Sequence, residues 1–218
     1  MDPLTHLVTG VICSQVLPAP SRWWAAAAGA IFAVLPDVDY FFIYWDRLAF
    51  IRYHRGFTHS LVAVPLFALA GALLGRALGG PRWFKPLFIL GIVVLLSHLL
   101  LDLATSYGTQ LLSPFSRRRF SLDWIFIIDP YFTALLLAGA IAALALPLWG
   151  FRVGAGFLAA AAVYLHALSG RYKHWRHHFP SRRRAKTSAV FLADSSGTDR
   201  NWIPPFFSSH PCVGAIIA

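Results

Sequence analysis

The sequence predicts an all-α fold, a multi-pass transmembrane helical bundle, and three observations carry that expectation. Of 218 residues, 57% are hydrophobic and only 13% charged, against about 25% charged in an ordinary soluble domain. So little polar surface cannot cover so much apolar side chain in water, which excludes a soluble enzyme as well as a disordered chain or a disulfide scaffold. All nine acidic residues are Asp, so the Glu that long solvent-facing helices use for i,i+4 pairing is missing. Six apolar stretches punctuate the chain, and no run of strict alternation is long enough to build a barrel.

The stretches fall at about residues 4–17, 22–36, 61–78, 84–102, 131–149 and 153–169. A full span takes about 20 residues, so the last four are expected to cross the bilayer. The first two are shorter. Joined by the turn Pro18-Ala19-Pro20, they are expected to form a short N-terminal helical hairpin that partly enters the bilayer or packs inside the bundle. Asp129-Pro130 has the signature of an Asp N-cap followed by Pro at the first helical position, and Asp2-Pro3 repeats it. The N-terminus lacks the basic region of a signal peptide and is expected to be retained. Residues 1–170 then make the membrane-embedded domain, and residues 171–218 a basic, flexible tail.

Charge places the ends of the bundle. The net charge is +10, of which +4 falls on residues 1–170 and +6 on residues 171–218. Up-and-down threading puts residues 36–60, 103–130 and 170–218 on one face, with 14 Lys/Arg, and leaves five on the other. The positive-inside rule assigns the first face to the cytoplasm. A basic tail beside a membrane body suits anionic lipid headgroups, and no module specific for nucleic acid is visible. Cys13 and Cys212 suggest neither a disulfide framework nor a zinc finger.

Ionisable residues at membrane spans are costly and mark functional sites. Here His6 opens the first stretch, Asp37 and Asp39 follow the second, His54 and His59 precede the third, and His98 and Asp102 end the fourth. The same threading brings all of them to the end of the bundle that the basic residues mark as cytoplasmic. His98 and Asp102, four apart, share one helix face and suit two ligands of one metal, or an interhelical hydrogen bond. Gly56 is expected to let the 54–59 loop turn, and Thr58 to cap the helix that follows. Two carboxylates as close as Asp37 and Asp39 repel in an apolar setting unless a cation lies between them.

His6, Leu35-Pro36-Asp37-Val38-Asp39, His54-Arg55-Gly56-Phe57-Thr58-His59-Ser60 and Ser97-His98-Leu99-Leu100-Leu101-Asp102, in this order, resemble the YdjM-type family of bacterial inner-membrane proteins. That family is described as membrane-bound metal-dependent hydrolases. The resemblance covers about residues 1–150. More remotely, the His98-x-x-x-Asp102 helix is similar to that of the zinc phospholipase C and nuclease fold, where such residues hold a metal cluster for phosphodiester hydrolysis.

The resulting expectation is a metal-dependent hydrolase in the bacterial inner membrane, with its site and tail on the cytoplasmic side. It would act through a metal-activated water on a phosphoester or lipid-like substrate. His6, Asp39, His54, His59, His98 and Asp102 are the candidate metal ligands. Asp37 is a ligand or the base that orients the water, and Arg55 a stabiliser of developing negative charge. Zn²⁺ suits imidazole and carboxylate, with Mn²⁺ the alternative. Two other classes use the same residues: an ion- or proton-coupled transporter, and a non-catalytic protein with a structural metal site.

Overall fold

A computed structural model gives the structure of residues 1–44 and 54–178. Among these residues it is helical, with no strand and one isolated bridge between Thr109 and Phe120. The helices are α1 (Pro3–Val16), α2 (Arg22–Val34), α3 (Ala63–Gly79), α4 (Phe84–Ala104), α5 (Pro130–Ala145) and α6 (Gly150–His178). Short 3-10 segments lie at Pro36–Tyr44, Phe57–His59 and Pro81–Trp83. The chain divides into two units, residues 1–173 and 174–218. Residues 179–218, the greater part of the expected tail, lie outside the described residues.

Both Asp-Pro signatures start helices as expected. Asp2 accepts from Thr5 N–H at 3.0 Å and Asp129 from Phe132 N–H at 2.9 Å, each meeting one of the donors a helix start leaves unpaired. The hydroxyls of Thr5 and Thr133 meet at 2.6 Å and join these two starts. At the far end of α5, Arg22 donates to the Ala143 carbonyl at 3.1 Å, using a cation to close a helix C-terminus.

α1 and α2 form the expected hairpin, and two glycines set its spacing. A Cβ at Gly10 would collide with the Gly29 carbonyl oxygen, and a Cβ at Gly29 with that of Gly10. The two backbones therefore touch, as small residues allow in apolar helix pairs. Gly10→Ala is expected to cost about 1–3 kcal/mol through overpacking, read as an earlier thermal unfolding transition in detergent.

The core has two parts. One joins Phe32 and Ala33 of α2 to Val64, Ala68 and Ala72 of α3 and Leu87, Leu90, Val94 and Leu95 of α4. The other joins Val8 and Ile12 of α1 to Leu101 and Ala104 of α4, Phe132, Leu136 and Ala140 of α5 and Ala161 of α6. Outward positions are apolar too: Leu66, Leu74, Leu78, Leu100, Ile141 and Val163 are all exposed. Two helical segments, Pro81–Ala104 and Gly150–Tyr172, are long and apolar enough to cross a membrane. The stretches expected at 61–78 and 131–149 become helices of 17 and 16 residues, at or just under the usual lower limit of about 17 for a span.

The connection from α4 to α5 folds back over the end of α4. Leu122 N–H donates to the Leu103 carbonyl and Trp124 N–H to that of Ala104, each at 2.8 Å. Gln110 N–H donates to the Arg55 carbonyl at 3.0 Å and Leu61 N–H to that of Leu111 at 3.0 Å. This connection thereby holds the 54–61 loop against the last turn of α4, where the ionisable residues gather.

Candidate metal centre

Four elements each deliver a side chain to one buried point. α1 brings His6 in its first turn, the 3-10 segment after α2 brings Asp37, the short helix before α3 brings His59, and the last two turns of α4 bring His98 and Asp102. His6, His59, His98 and Asp102 are buried, and Asp37 is the partly exposed member.

Four pairs of inward atoms lie at or near the separation that neighbouring ligands of an ion keep. His59 Nε2 lies 3.3 Å from Asp102 Oδ2 and 3.3 Å from Asp37 Oδ1. His98 Nε2 lies 3.5 Å from Asp102 Oδ2 and 3.9 Å from Asp37 Oδ1. Tetrahedral coordination at about 2.0–2.1 Å per ligand places neighbouring ligand atoms about 3.4 Å apart. His6, Asp37 and His98 make one group able to hold an ion, and His59, His98 and Asp102 another. The His6 and His98 rings stack at 3.7 Å, and His6 Nε2 lies 3.2 Å from Asp102 Oδ1.

The far side of each key histidine fixes which nitrogen is free. His98 Nδ1 donates to the Ala33 carbonyl at 2.6 Å, leaving Nε2 with a lone pair toward the centre. His59 Nδ1 meets Thr58 Oγ1 at 3.0 Å, and that hydroxyl donates to Asp39 Oδ2 at 3.1 Å, so His59 Nε2 also points inward unprotonated when a cation is bound. Such partners orient metal-binding imidazoles. Among the described residues, His6 Nδ1, His98 Nε2, Asp37 Oδ2 and Asp102 Oδ2 are buried with no hydrogen-bond partner. Buried polar atoms are normally paired; His98 Nε2 and Asp102 Oδ2, 3.5 Å apart, leave two lone pairs beside each other, which fits a cation between them.

The other three expected site residues stand behind that point. Asp39 accepts from His54 Nδ1 at 2.9 Å, Arg55 N–H at 3.0 Å and Thr58 Oγ1, and neither Asp39 nor His54 belongs to either metal-holding group. The reason lies in the 3-10 segment: at three residues per turn, positions two apart face different ways, so Asp37 turns to the centre and Asp39 to the loop. Arg55, expected to face a developing charge, instead places Nη2 2.9 Å from Asp102 Oδ1 and Nη1 2.9 Å from Thr105 Oγ1. The α-amine of Met1 also pairs with Asp102 Oδ1.

Gly56 does turn the loop, at φ −91° and ψ −121°, outside the regions open to most residues, and Arg55 beside it is left-handed (φ 56°). The expected cap of α3 needs correction. Thr58 spends its hydroxyl on Asp39, and Ser60 is the residue whose Oγ accepts from the Ala63 N–H starting α3, at 3.2 Å. The contribution of Thr105, which also donates to the Asp102 carbonyl at 2.7 Å, went unread. Its signal is the Asp102-x-x-Thr105 spacing, one helical turn.

Electrostatics outside the helices agrees with a cation site. Burial disfavours the His59 imidazolium, but hydrogen bonds to Asp102 and Asp37 outweigh it and raise its pKa above the ordinary histidine value. Burial likewise opposes the Asp37 carboxylate, yet the His59 hydrogen bond and the His98 charge leave its pKa below the usual one. Bound metal and the His59 proton therefore compete. Metal affinity is expected to weaken as pH falls, with the competition beginning above the ordinary histidine pKa of about 6.5. Titrating metal across that window checks it; an affinity indifferent to pH there would remove His59 from the ligand set.

A helical bundle of apolar helices, closed at one end around a buried histidine and carboxylate cluster, defines the class: a helical membrane protein with a candidate metal centre. The chain belongs to the YdjM inner membrane protein family, whose family model matches residues 1–176. It is similar to inner membrane protein YdjM of Escherichia coli (strain K12), 37% identical over 136 residues, covering 54% of this chain and 67% of that protein. Inner membrane protein YbcI of the same organism is 40% identical over 106 residues, covering 44% of this chain and 57% of YbcI. The uncharacterized protein YfhP of Bacillus subtilis (strain 168) is 29% identical over 139 residues, or 60% of this chain and 42% of YfhP. The chain thus spans 42% to 67% of the length of these relatives. No solved structure matches it.

Proposed function

We propose that the chain is a multi-pass membrane protein and a metal-dependent hydrolase of a phosphoester or lipid-like substrate. The observation that carries this reading is the pair of largely buried donor groups that share His98: His6, Asp37 and His98, and His59, His98 and Asp102. Imidazole and carboxylate suit Zn²⁺, with Mn²⁺ the alternative. When bound, such an ion supplies Lewis-acid polarisation of a scissile oxygen and activation of water.

The protein's own residues do the rest. His59 and His98 would hold the ion, each oriented by the hydrogen bond on its far side. Asp102 balances charge and is itself steadied by Arg55. Asp37 is the partly exposed donor, and its Oδ2 has no hydrogen-bond partner, which suits it to orient a water and take its proton. The donors gather at one end of the bundle, and the charge count of the sequence assigns that end to the cytoplasm, with membrane lipids as its neighbours. A carrier needs ionisable groups along its path; among the described residues this cluster is confined to that end. The depth of the donors favours one other reading, a closed structural metal site.

The test is hydrolysis by purified, metal-loaded protein of chromogenic phosphodiester, phosphomonoester and ester substrates, in detergent and in vesicles. Metal-dependent turnover supports the hydrolase. Stoichiometric metal with no turnover across the panel replaces it with the structural site. Cysteine labelling at Arg118 and Arg82 reads the orientation.

A further inference from the structure

We propose that Asp39 and Arg55 form a positioning pair that sets two of the metal donors, His59 and Asp102, from behind; this rests on the metal-centre reading above. Both residues are buried ionisable groups that do not face the donor atoms, and each needs a reason to be there.

Asp39 gathers the 54–59 loop onto one carboxylate. Oδ1 takes the His54 ring, and Oδ2 takes the Arg55 backbone N–H and the Thr58 hydroxyl. The Thr58 hydroxyl passes that anchor on to His59 Nδ1 at 3.0 Å, which aims His59 Nε2. The Arg55 N–H is held while the residue adopts φ 56°, a conformation uncommon for a non-glycine side chain and one that persists where its surroundings enforce it. That turn sends the guanidinium inward. Its fork grips Asp102 Oδ1 with one nitrogen and Thr105 Oγ1 with the other, each at 2.9 Å. Thr105 is in turn fixed by its bond to the Asp102 carbonyl. With the Met1 α-amine and His6 Nε2, the fork fills Asp102 Oδ1, and Oδ2 is left as the oxygen presented to His59 and His98. Tyr107 covers the fork, its ring centroid 5.0 Å from the Arg55 guanidinium carbon.

The pair acts on donor geometry and never touches the ion, so the readout is metal binding by the full-length protein in detergent, using Co²⁺. Tetrahedral Co²⁺ has an intense visible absorption whose shape reports ligand arrangement. Asp39→Asn and Arg55→Gln are expected to weaken Co²⁺ binding by about 10–100-fold, the usual penalty for losing a partner that orients a ligand, and to alter the absorption band while helix content stays unchanged. Arg55→Lys should not rescue, because one ammonium cannot span Asp102 and Thr105 as the planar fork does. If Asp39→Asn fails to fold, Thr58→Val cuts only the relay to His59 and should shift affinity and band in the same direction by less. Wild-type affinity and an unchanged band in these variants would overturn the positioning role alone. A wild-type protein that binds no Co²⁺ would overturn the metal reading and this inference with it.

Discussion

Replacing His98 with alanine is expected to strip the protein of its metal while leaving the bundle folded. His98 presents its only free nitrogen to the centre, because the other is spent on the Ala33 carbonyl. Alanine therefore deletes a ligand outright, and metal affinity should fall by more than the about 10–100-fold that the loss of an orienting partner costs. The structural cost is smaller. One hydrogen bond between α4 and α2 is lost, worth about 0.5–1.5 kcal/mol net, while the flanking contacts of Val94, Leu95 and Leu99 with the α2 and α3 side of the core remain. Metal analysis of the purified variant beside circular dichroism separates the two effects. Full metal occupancy in His98→Ala would remove α4 from the site.

Asp102→Ala is expected to damage the fold as well as the site. Arg55 and Asp102 are a buried ion pair, their side chains 4% and 1% exposed. Removing the carboxylate leaves a guanidinium in the protein interior with neutral side-chain partners, Thr105 and the Tyr107 ring, and takes the counter-ion of the Met1 α-amine as well. Breaking one side of such a pair costs about 3–5 kcal/mol, whereas replacing both sides with apolar groups of similar volume is often neutral. The double variant Arg55→Met, Asp102→Leu should therefore unfold later than Asp102→Ala, although neither holds metal. Thermal unfolding in detergent of both variants and wild type measures the difference. An Asp102→Ala protein as stable as wild type would mean that Arg55 finds adequate partners elsewhere.

The parts of this molecule that announce themselves in sequence are those set by helical period and by local backbone chemistry. His98 and Asp102 share a face because they are four apart, and Asp2-Pro3 and Asp129-Pro130 start helices because a carboxylate and a fixed φ suit a helix start. The convergence of His6, Asp37, His59, His98 and Asp102 follows from threading apolar stretches up and down. What a one-dimensional reading misses is direction. Asp37 and Asp39 look equivalent in Pro36-Asp37-Val38-Asp39, and only the 3-10 winding sends them to different neighbours. Arg55 looks like a residue facing substrate until its left-handed backbone turns it onto Asp102. The partner of His98 is a main-chain oxygen, which any residue at position 33 would supply. The 131–149 stretch gives a shorter helix for a simpler reason: apolarity continues through Leu146 and Leu148, but Pro147 cannot extend α5, which ends at Ala145.

The donors also have an order along the chain. Among the described residues the donors all lie before residue 103, so they have been synthesised before α5 begins. An ion captured at that moment by His6, Asp37 and His98 would tie the start of α1 to the end of α4, closing a long loop whose entropic cost rises only slowly with its length. The ion would then act as a staple on the nascent protein. It would commit the first four helices to one arrangement, on which Thr5 is ready to receive Thr133 as α5 arrives.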